Sequence, residues 1–324
     1  MRRVLVTGGA GFIGSHLAER LLAEGSFEVT SLDSFDDFYD PRAKRRNVAR
    51  AAAHPAYRLV EGDIRDEALV ERVFSEGRFD TVVHIAARAG VRPSLERPLL
   101  YEDVNVRGTL VLLEAMRRHG PREIVFASSS SVYGESREVP FRETQPVDRP
   151  ISPYAATKRA CELLLATYEH LYGISAAVLR FFTVYGPRQR PDLAVAKFTR
   201  KIDCGEPVPV FGDGSARRDF TYIDDTIEGV RAAIDRCRGY EIYNLGESQT
   251  TSVLELISLI EGAIGKKATI ERRPAEPGDV SITCADITKA RERLGYCPKT
   301  PIAEGIRRYV AWYRNENALL EKEG

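Results

Sequence analysis

Residues 4–14 read Val4-Leu5-Val6-Thr7-Gly8-Gly9-Ala10-Gly11-Phe12-Ile13-Gly14. A short apolar run of β type ends in glycines, and Leu17, Leu21 and Leu22 follow at helical spacing. Gly9, Gly11 and Gly14 satisfy GxGxxG, while Gly8, Gly11 and Gly14 satisfy GxxGxxG, with Phe12 and Ile13 opening the helix between them. Small residues in such a turn let backbone approach a pyrophosphate and aim helix N-terminal N–H groups at it. Any tight strand–helix turn can require glycine, so the motif gains its weight from context. Asp33 supplies that context by closing the next β run 19 residues after Gly14. A carboxylate there suits a ribose 2′-hydroxyl and repels a 2′-phosphate, which favours NAD over NADP.

Working outward, β-type runs at Val4 to Thr7, Val29 to Leu32, Tyr57 to Val60, Thr81 to Ile85, Glu123 to Ala127 and Ala177 to Phe181 alternate with helical patterns such as Leu110, Leu113 and Met116. That alternation predicts an α/β fold with a doubly wound parallel sheet, Rossmann-like, covered on both faces. After Val184 the rhythm loosens. Pro187, Pro191, Pro207, Pro209 and the turn at Gly212-Asp213-Gly214 divide the chain into shorter elements. These predict a smaller C-terminal α/β substrate lobe. The expected division is 1–183 plus about 220–248 for the dinucleotide domain, and about 184–219 plus 249–324 for the lobe.

Composition narrows the function classes. In 324 residues, 43% hydrophobic and 29% charged, Lys plus Arg equals Asp plus Glu at 47 each. No global field recruits nucleic acid or a membrane surface, so an anionic ligand needs local arginines. No apolar run approaches the roughly 18 residues of a span, and a buried-type strand starts at once with no signal peptide ahead of it. Cys161, Cys204, Cys237, Cys284 and Cys297 are scattered and never spaced CxxC. No metal site is expected, and a reducing, cytoplasmic location is.

Ligands of open α/β sheets sit at the carboxyl ends of the strands. Asp63-Ile64 follows the third strand, where Asp63 either contacts adenine or caps the next helix. In His84-Ile85-Ala86-Ala87-Arg88-Ala89-Gly90, Ala86 and Ala87 are small where backbone must pass the cofactor, and His84 reads as a strand-end histidine with a structural hydrogen bond. The fifth strand ends in Ser128-Ser129-Ser130-Ser131, hydroxyls placed to donate to a substrate oxygen, although a turn capping its own backbone accounts for some of them. Ser152-Pro153-Tyr154 starts a helix with a serine cap and a first-turn proline, and Gly173 stops it. Tyr154 and Lys158 are one turn apart on one face. A phenol titrates near ~10 in water. A neighbouring ammonium and an oxidised nicotinamide favour the phenolate, which then takes a proton from a substrate hydroxyl.

With these residues in place the sequence resembles the extended short-chain dehydrogenases/reductases that modify nucleotide sugars. The resemblance covers essentially the whole chain. It rests on TGGAGFIG, the serine run with Val132-Tyr133-Gly134, and YxxxK at Tyr154/Lys158, and it continues through Leu179 to Pro187, Gly212 to Ser215, Arg218 to Asp225 and Pro277-Gly278-Asp279. It implies NAD as cofactor, Ser129, Tyr154 and Lys158 as the catalytic set, and Arg218 and Asp279 as contacts to the nucleotide diphosphate and its ribose. Members that dehydrate or decarboxylate the sugar carry an acidic residue beside the catalytic serine or threonine. Here Ser130 and Ser131 occupy those places, which leaves 4-epimerisation through a 4-keto sugar.

Asp33 to Pro41, Ala89-Gly90-Val91-Arg92 and Phe182 to Pro187 look most like UDP-glucuronate 4-epimerases. Relatives acting on neutral hexoses commonly carry Asn at the place of Thr183. A hydroxyl there, with Ser129, Ser130 and Arg190, suits a C6 carboxylate. Glu276 stands where many hexose epimerases resemble RPGD, so Arg218 takes the diphosphate or Glu276 turns away. Arg92 is weighted toward the substrate, whereas Arg88, Arg188 and Arg217 read equally as solvated. The segment from Phe35 to Arg46 is either a lid or a surface loop. Competing readings are a UDP-glucose/UDP-galactose or N-acetylhexosamine epimerase, a 4,6-dehydratase or decarboxylase, and a non-catalytic NAD-sensing regulator. Leu95 to His119 and Tyr154 to Tyr172 carry apolar residues on more than one side, and the resemblance implies a homodimer through them.

Overall fold

The strands, in chain order, are β1 (Arg2–Thr7), β2 (Phe27–Asp33), β3 (Tyr57–Glu61), β4 (Thr81–His84), β5 (Glu123–Ser129), β6 (Ser175–Phe181), β7 (Thr183–Tyr185), β8 (Val208–Phe211), β9 (Arg217–Arg218), β10 (Phe220–Tyr222), β11 (Tyr240–Leu245), β12 (Thr251–Ser252) and β13 (Ile270–Arg273). The helices are α1 (Phe12–Ala23), α2 (Pro41–Ala52), α3 (Glu67–Gly77), α4 (Val91–Glu96), α5 (Pro98–Glu102), α6 (Gly108–His119), α7 (Pro153–Tyr172), α8 (Ala194–Asp203), α9 (Ile223–Asp235), α10 (Val253–Ile264), α11 (Thr288–Leu294) and α12 (Ile302–Glu323). A computed structural model of the chain describes residues 1–136, 138–274 and 280–323. Glu276 and Asp279 lie outside the described residues. Among the described residues no helix is long and apolar enough to cross a membrane.

Seven strands form one parallel sheet in the order β11-β6-β5-β4-β1-β2-β3. The chain leaves β1 in one direction for β2 and β3, then returns to lay β4, β5, β6 and β11 on the other side. The order therefore reverses between β1 and β4, which opens a crevice at their carboxyl ends. Alternation along β1 feeds both faces: Val4 and Val6 join the cluster of Leu17 and Leu21 from α1, while Leu5 joins Val73 of α3 with Leu112 and Met116 of α6.

The six strands expected from the sequence are all present. Strand β5 runs two residues past Ala127 to Ser129, so the serines begin inside the sheet. The seventh strand, β11, has no clear signature in the sequence. Glu241 and Asn244 interrupt its apolar run, because as an edge strand it pairs only with β6. Beyond β6 the smaller elements pair among themselves: β7 with β10, β8 with β13, and β9 with β12. Buried Val208 and Val210 of β8 join Ile257 and Ile260 of α10 and Tyr309 of α12.

Candidate active site

Helix α1 starts at the reversal point with no side-chain cap at Gly11. Its first-turn N–H groups are therefore left for an anion. The turn that delivers them requires glycine twice over. Gly8 has φ 72°, and a Cβ on it would stand 2.8 Å from the Ala86 amide nitrogen; one on Gly14 would stand 2.1 Å from the Gly8 carbonyl oxygen. Asn47 of α2 donates to the Ala10 carbonyl at 3.1 Å and holds the turn from the other side. Asp33 accepts the Ala10 amide at 3.0 Å with one oxygen and the Phe35 amide at 2.9 Å with the other.

A cleft of about 500 Å³ runs from this turn across the ends of β1, β4 and β5. Gly8, Gly11, Phe12, Ile13, Gly14, Asp33, Asp63, Ile64, Ala86 and Ala87 line it, with Ser129, Ser130, Tyr154, Lys158, Thr183 and Arg190. Two expected contacts do not line it. Arg92 lies over the Phe211 ring at 4.5 Å, and Arg218 sits on β9, donating to the Arg217 carbonyl at 2.9 Å. A shallower cleft of about 440 Å³ beside β11 and α11 gathers none of the candidate residues.

Local folding rules place the catalytic candidates. Ser152 caps α7 by accepting the Ala155 amide at 3.1 Å, Pro153 opens the first turn, and Gly173 at φ 65° ends the helix. This puts Tyr154 in the first turn, facing Ser129 at the end of β5. The Ser129 hydroxyl donates to Ser131 Oγ at 3.1 Å and accepts the Ser131 amide at 3.2 Å. Burial pushes the Tyr154 phenol up, while a hydrogen bond with Ser129 and the charge of Arg190 pull it down. The Lys158 ammonium is buried and donates to the Ala127 carbonyl at 2.6 Å. Burial lowers it to about 8, against an upward pull from Cys161 and Glu162. Arg190 is thus a second cation whose charge lowers the phenol, beside the Lys158 that the helical spacing singles out.

The remaining strand ends have structural partners of their own. His84 is buried, with Nδ1 2.7 Å from Thr7 Oγ1 and Nε2 3.0 Å from Thr109 Oγ1, so its role is structural. Asp63 does not cap α3; Asp66 does, and Asp63 instead holds the Arg65 amide and guanidinium. Arg188 reaches Glu19 at 2.7 Å, and Arg217 reaches the Thr250 hydroxyl at 2.8 Å. Arg88 pairs with Asp36 and lines the cleft. Among the described residues the carboxylates that line the cleft are Asp33, Asp36 and Asp63, and each is engaged in this way.

Sequence reasoning left one of three groups open, as lid or surface loop, and missed the other two. Asp36, Phe38, Tyr39 and Lys44 line the cleft, so the segment after β2 belongs to the site rather than the outer surface. Its mixture of aromatics and charges was the available signal. Asn105 accepts the Arg88 amide at 2.7 Å and donates to the Arg88 carbonyl and the Thr157 hydroxyl, each at 3.0 Å. It thereby bolts the β4 loop to α7 from a π-helical turn, Asp103–Arg107. Glu162 is the third, a buried carboxylate one turn beyond Lys158.

Comparison with known proteins agrees with this geometry. The family described as GDP-mannose 4,6 dehydratase matches residues 5–309. A UDP-glucuronate 4-epimerase of Thermodesulfobacterium geofontis is 43% identical over 318 residues, 98% of each chain. The structure of UDP-glucuronic acid 4-epimerase from Bacillus cereus, with UDP-glucuronic acid and NAD, superposes with a TM-score of 0.91 at 35% identity, covering 97% of this chain and 99% of that one. UDP-glucose 4-epimerase from Thermotoga maritima, with UDP-glucose, gives 0.90 at 36% identity, covering the same shares.

Proposed function

The chain belongs to the GDP-mannose 4,6-dehydratase family of extended short-chain dehydrogenases/reductases, and within it we propose an NAD-dependent UDP-sugar 4-epimerase whose substrate is UDP-glucuronate. The single observation that carries the substrate is the convergence of Arg190, Thr183, Ser129 and Ser130 on the cleft that Tyr154 lines. A guanidinium and three hydroxyls match a carboxylate by charge-assisted hydrogen bonds, and a neutral hydroxymethyl group needs no such set.

The glycine turn fits a dinucleotide because its backbone approaches where a Cβ would collide, and Asp33 keeps lone pairs for a ribose hydroxyl. Bound NAD supplies the acceptor, and afterwards the donor, of the hydride at sugar C4. Tyr154 takes the O4 proton as the C4–H bond breaks and returns it when the bond re-forms on the opposite ring face. Ser129 donates a hydrogen bond to O4, and Lys158 completes the cofactor contact. By the family resemblance, Arg218 and Asp279 are assigned to the nucleotide diphosphate and its ribose, and Arg92 to the substrate. Dehydration needs an additional acid and base, and the engaged state of Asp33, Asp36 and Asp63 leaves no unengaged carboxylate for it among the described residues that line the cleft.

A 4-keto glucuronate is a β-keto acid. If its C5–C6 bond aligns with the carbonyl π system, that bond breaks, CO2 leaves, and the resulting enolate takes a proton at C5. Arg190, Thr183 and Ser130 hold the carboxylate out of that alignment.

We read the chain as two lobes, 1–183 plus about 220–248 and about 184–219 plus 249–324. Its unpaired cysteines suit a reducing, cytoplasmic location. The homodimer reading is supported by Leu99, Leu163 and Leu171, exposed by 82%, 54% and 58% on α5 and α7.

The test is to follow the anomeric protons of UDP-glucuronate, UDP-glucose and UDP-N-acetylglucosamine by NMR with the purified protein. UDP-galacturonate alone is the expected product. Conversion of UDP-glucose alone would overturn the substrate but keep the epimerase. Thr183→Ala should add a UDP-pentose by-product, and a clean loss of activity without decarboxylation counts against the carboxylate role.

A further inference from the structure

Phe38 stands between two cations. The Arg88 guanidinium carbon lies 4.8 Å from its ring centroid and that of Arg190 lies 5.0 Å away. The two arginines reach the ring from different places, one from the loop after β4 and the other from the segment after β7. Like charges do not gather on one ring by themselves. Asp36 balances Arg88, and Asp192 grips Arg190 through Nε at 3.0 Å and Nη2 at 2.8 Å. Two guanidinium groups, each paired with a carboxylate, thus meet at one aromatic ring.

The ring is itself fixed. Asp33 fixes the start of the segment by accepting the Phe35 amide. Asp36 accepts the Phe38 amide at 2.8 Å, and the Lys44 ammonium donates to the Asp36 carbonyl at 2.7 Å. Arg88 is held along its backbone by Asn105. Arg190 shares the cleft with Tyr154, Thr183 and Ser130. Its Nε and one Nη2 hydrogen lie on Asp192, which leaves both Nη1 hydrogens and the second on Nη2 for an incoming oxyanion.

We propose that Phe38 is a positioning residue of the sugar subsite: its ring sets the Arg190 guanidinium where it can grip a sugar carboxylate in the cleft that Tyr154 lines. The proposal rests on the UDP-glucuronate reading. The segment after β2 would then link the cofactor strand to substrate choice, since the same residues follow directly from Asp33.

Phe38→Leu keeps the apolar bulk and removes the π face, and Phe38→Tyr restores it. The Leu variant is expected to raise KM for UDP-glucuronate about fivefold to thirtyfold, the factor for a cation–π contact of about 1–2 kcal/mol. It should also raise the UDP-pentose fraction and move the rising limb of the kcat/KM profile to higher pH, because the phenol loses a cation that lowers it. NAD retention should stay at the wild-type level, and the Tyr variant should return all three readouts toward wild type. A Leu variant that matches wild type in KM, by-product and pH limb overturns the proposal. So does one that loses NAD in step with activity, which would make Phe38 a cofactor contact. A wild-type protein that turns over only neutral UDP-sugars removes the substrate assignment and the proposal with it, a result read on the wild type and so distinct from a silent Leu variant.

Discussion

Replacing Glu162 by Gln removes one charge from the most buried ion pair in the protein's active half. The Glu162 carboxylate takes Arg180 Nε at 2.9 Å and Nη2 at 2.8 Å, the Ser128 hydroxyl at 2.6 Å and Arg159 at 3.1 Å. The side chains of Glu162 and Arg180 are 0% and 1% exposed, so a lone Arg180 charge has no water to turn to. Breaking one partner of such a pair costs about 3–5 kcal/mol. Unfolding entropy of about 2.1 cal/mol/K per residue gives roughly 0.7 kcal/mol/K for the chain, so Tm should fall by about 4–7 °C. Scanning fluorimetry on NAD-loaded protein measures it. Replacing both residues by Met removes the orphaned charge and should recover more than half of the loss; the remainder reflects Ser128 and Arg159 left without an acceptor. Glu162 also raises the Lys158 ammonium, which sits at about 8. E162Q therefore moves the alkaline limb of activity to lower pH. A Tm change below about 1 °C, or a double variant that simply adds the two single losses, would refute the reasoning.

Gly14→Ala places a Cβ 2.1 Å from the Gly8 carbonyl oxygen, and overpacking of about 1–3 kcal/mol predicts roughly 5- to 150-fold weaker NAD binding, read by cofactor fluorescence titration. Tyr154→Phe removes the proton acceptor and should lower kcat about 10²- to 10⁴-fold with NAD binding unchanged; retention of more than a tenth of the activity would remove Tyr154 from its role. Acid acts through two opposing sets. Buried His84 and His16, lowered to about 3 and about 4, subtract stability as pH falls below the unfolded value near ~6.5, while Asp219 and Glu247, raised to about 6 and about 7, add stability over the same window. His84→Gln removes one subtracting group, so between pH 6.5 and 4.5 the variant should gain about 1.4 kcal/mol per pH unit relative to wild type by denaturant titration, and a constant difference refutes the assignment.

Much of the fold was legible because it is written in periods. The run from Val4 to Val6 is buried on both faces, and a strand covered on both faces reads as a continuous apolar run rather than an alternation. Strand β11 escaped for the converse reason. At the sheet edge Glu241 stands exposed, and Asn244 joins a polar network by donating to the Phe141 carbonyl at 2.8 Å and accepting from Tyr133 at 2.7 Å. A strand whose residues serve an edge and a network carries no clean alternation. Helix α7 was legible down to its cap, since Ser152, Pro153 and Gly173 each answer a local backbone need that does not depend on the rest of the chain.

The site divides along the same line. Gly8, Gly14, Asp33 and Tyr154 stand at fixed offsets from strand ends or helix starts, and offsets survive in a sequence. The groups that tune them do not. Arg190 lies 36 positions from Tyr154, and Phe38 lies 50 from Arg88, so only the folded sheet brings either pair together. A charge beside an aromatic in the Asp36 to Lys44 segment fits a solvated loop as well as a clamp. The difference between the two is whether a second guanidinium arrives from β7, which depends on how the chain crosses the top of the sheet after β6. Spacing can thus announce Tyr154 as the candidate proton acceptor. The arginine that shares its cleft, and the ring that arginine lies on, are brought to it only when the chain has crossed the ends of the sheet.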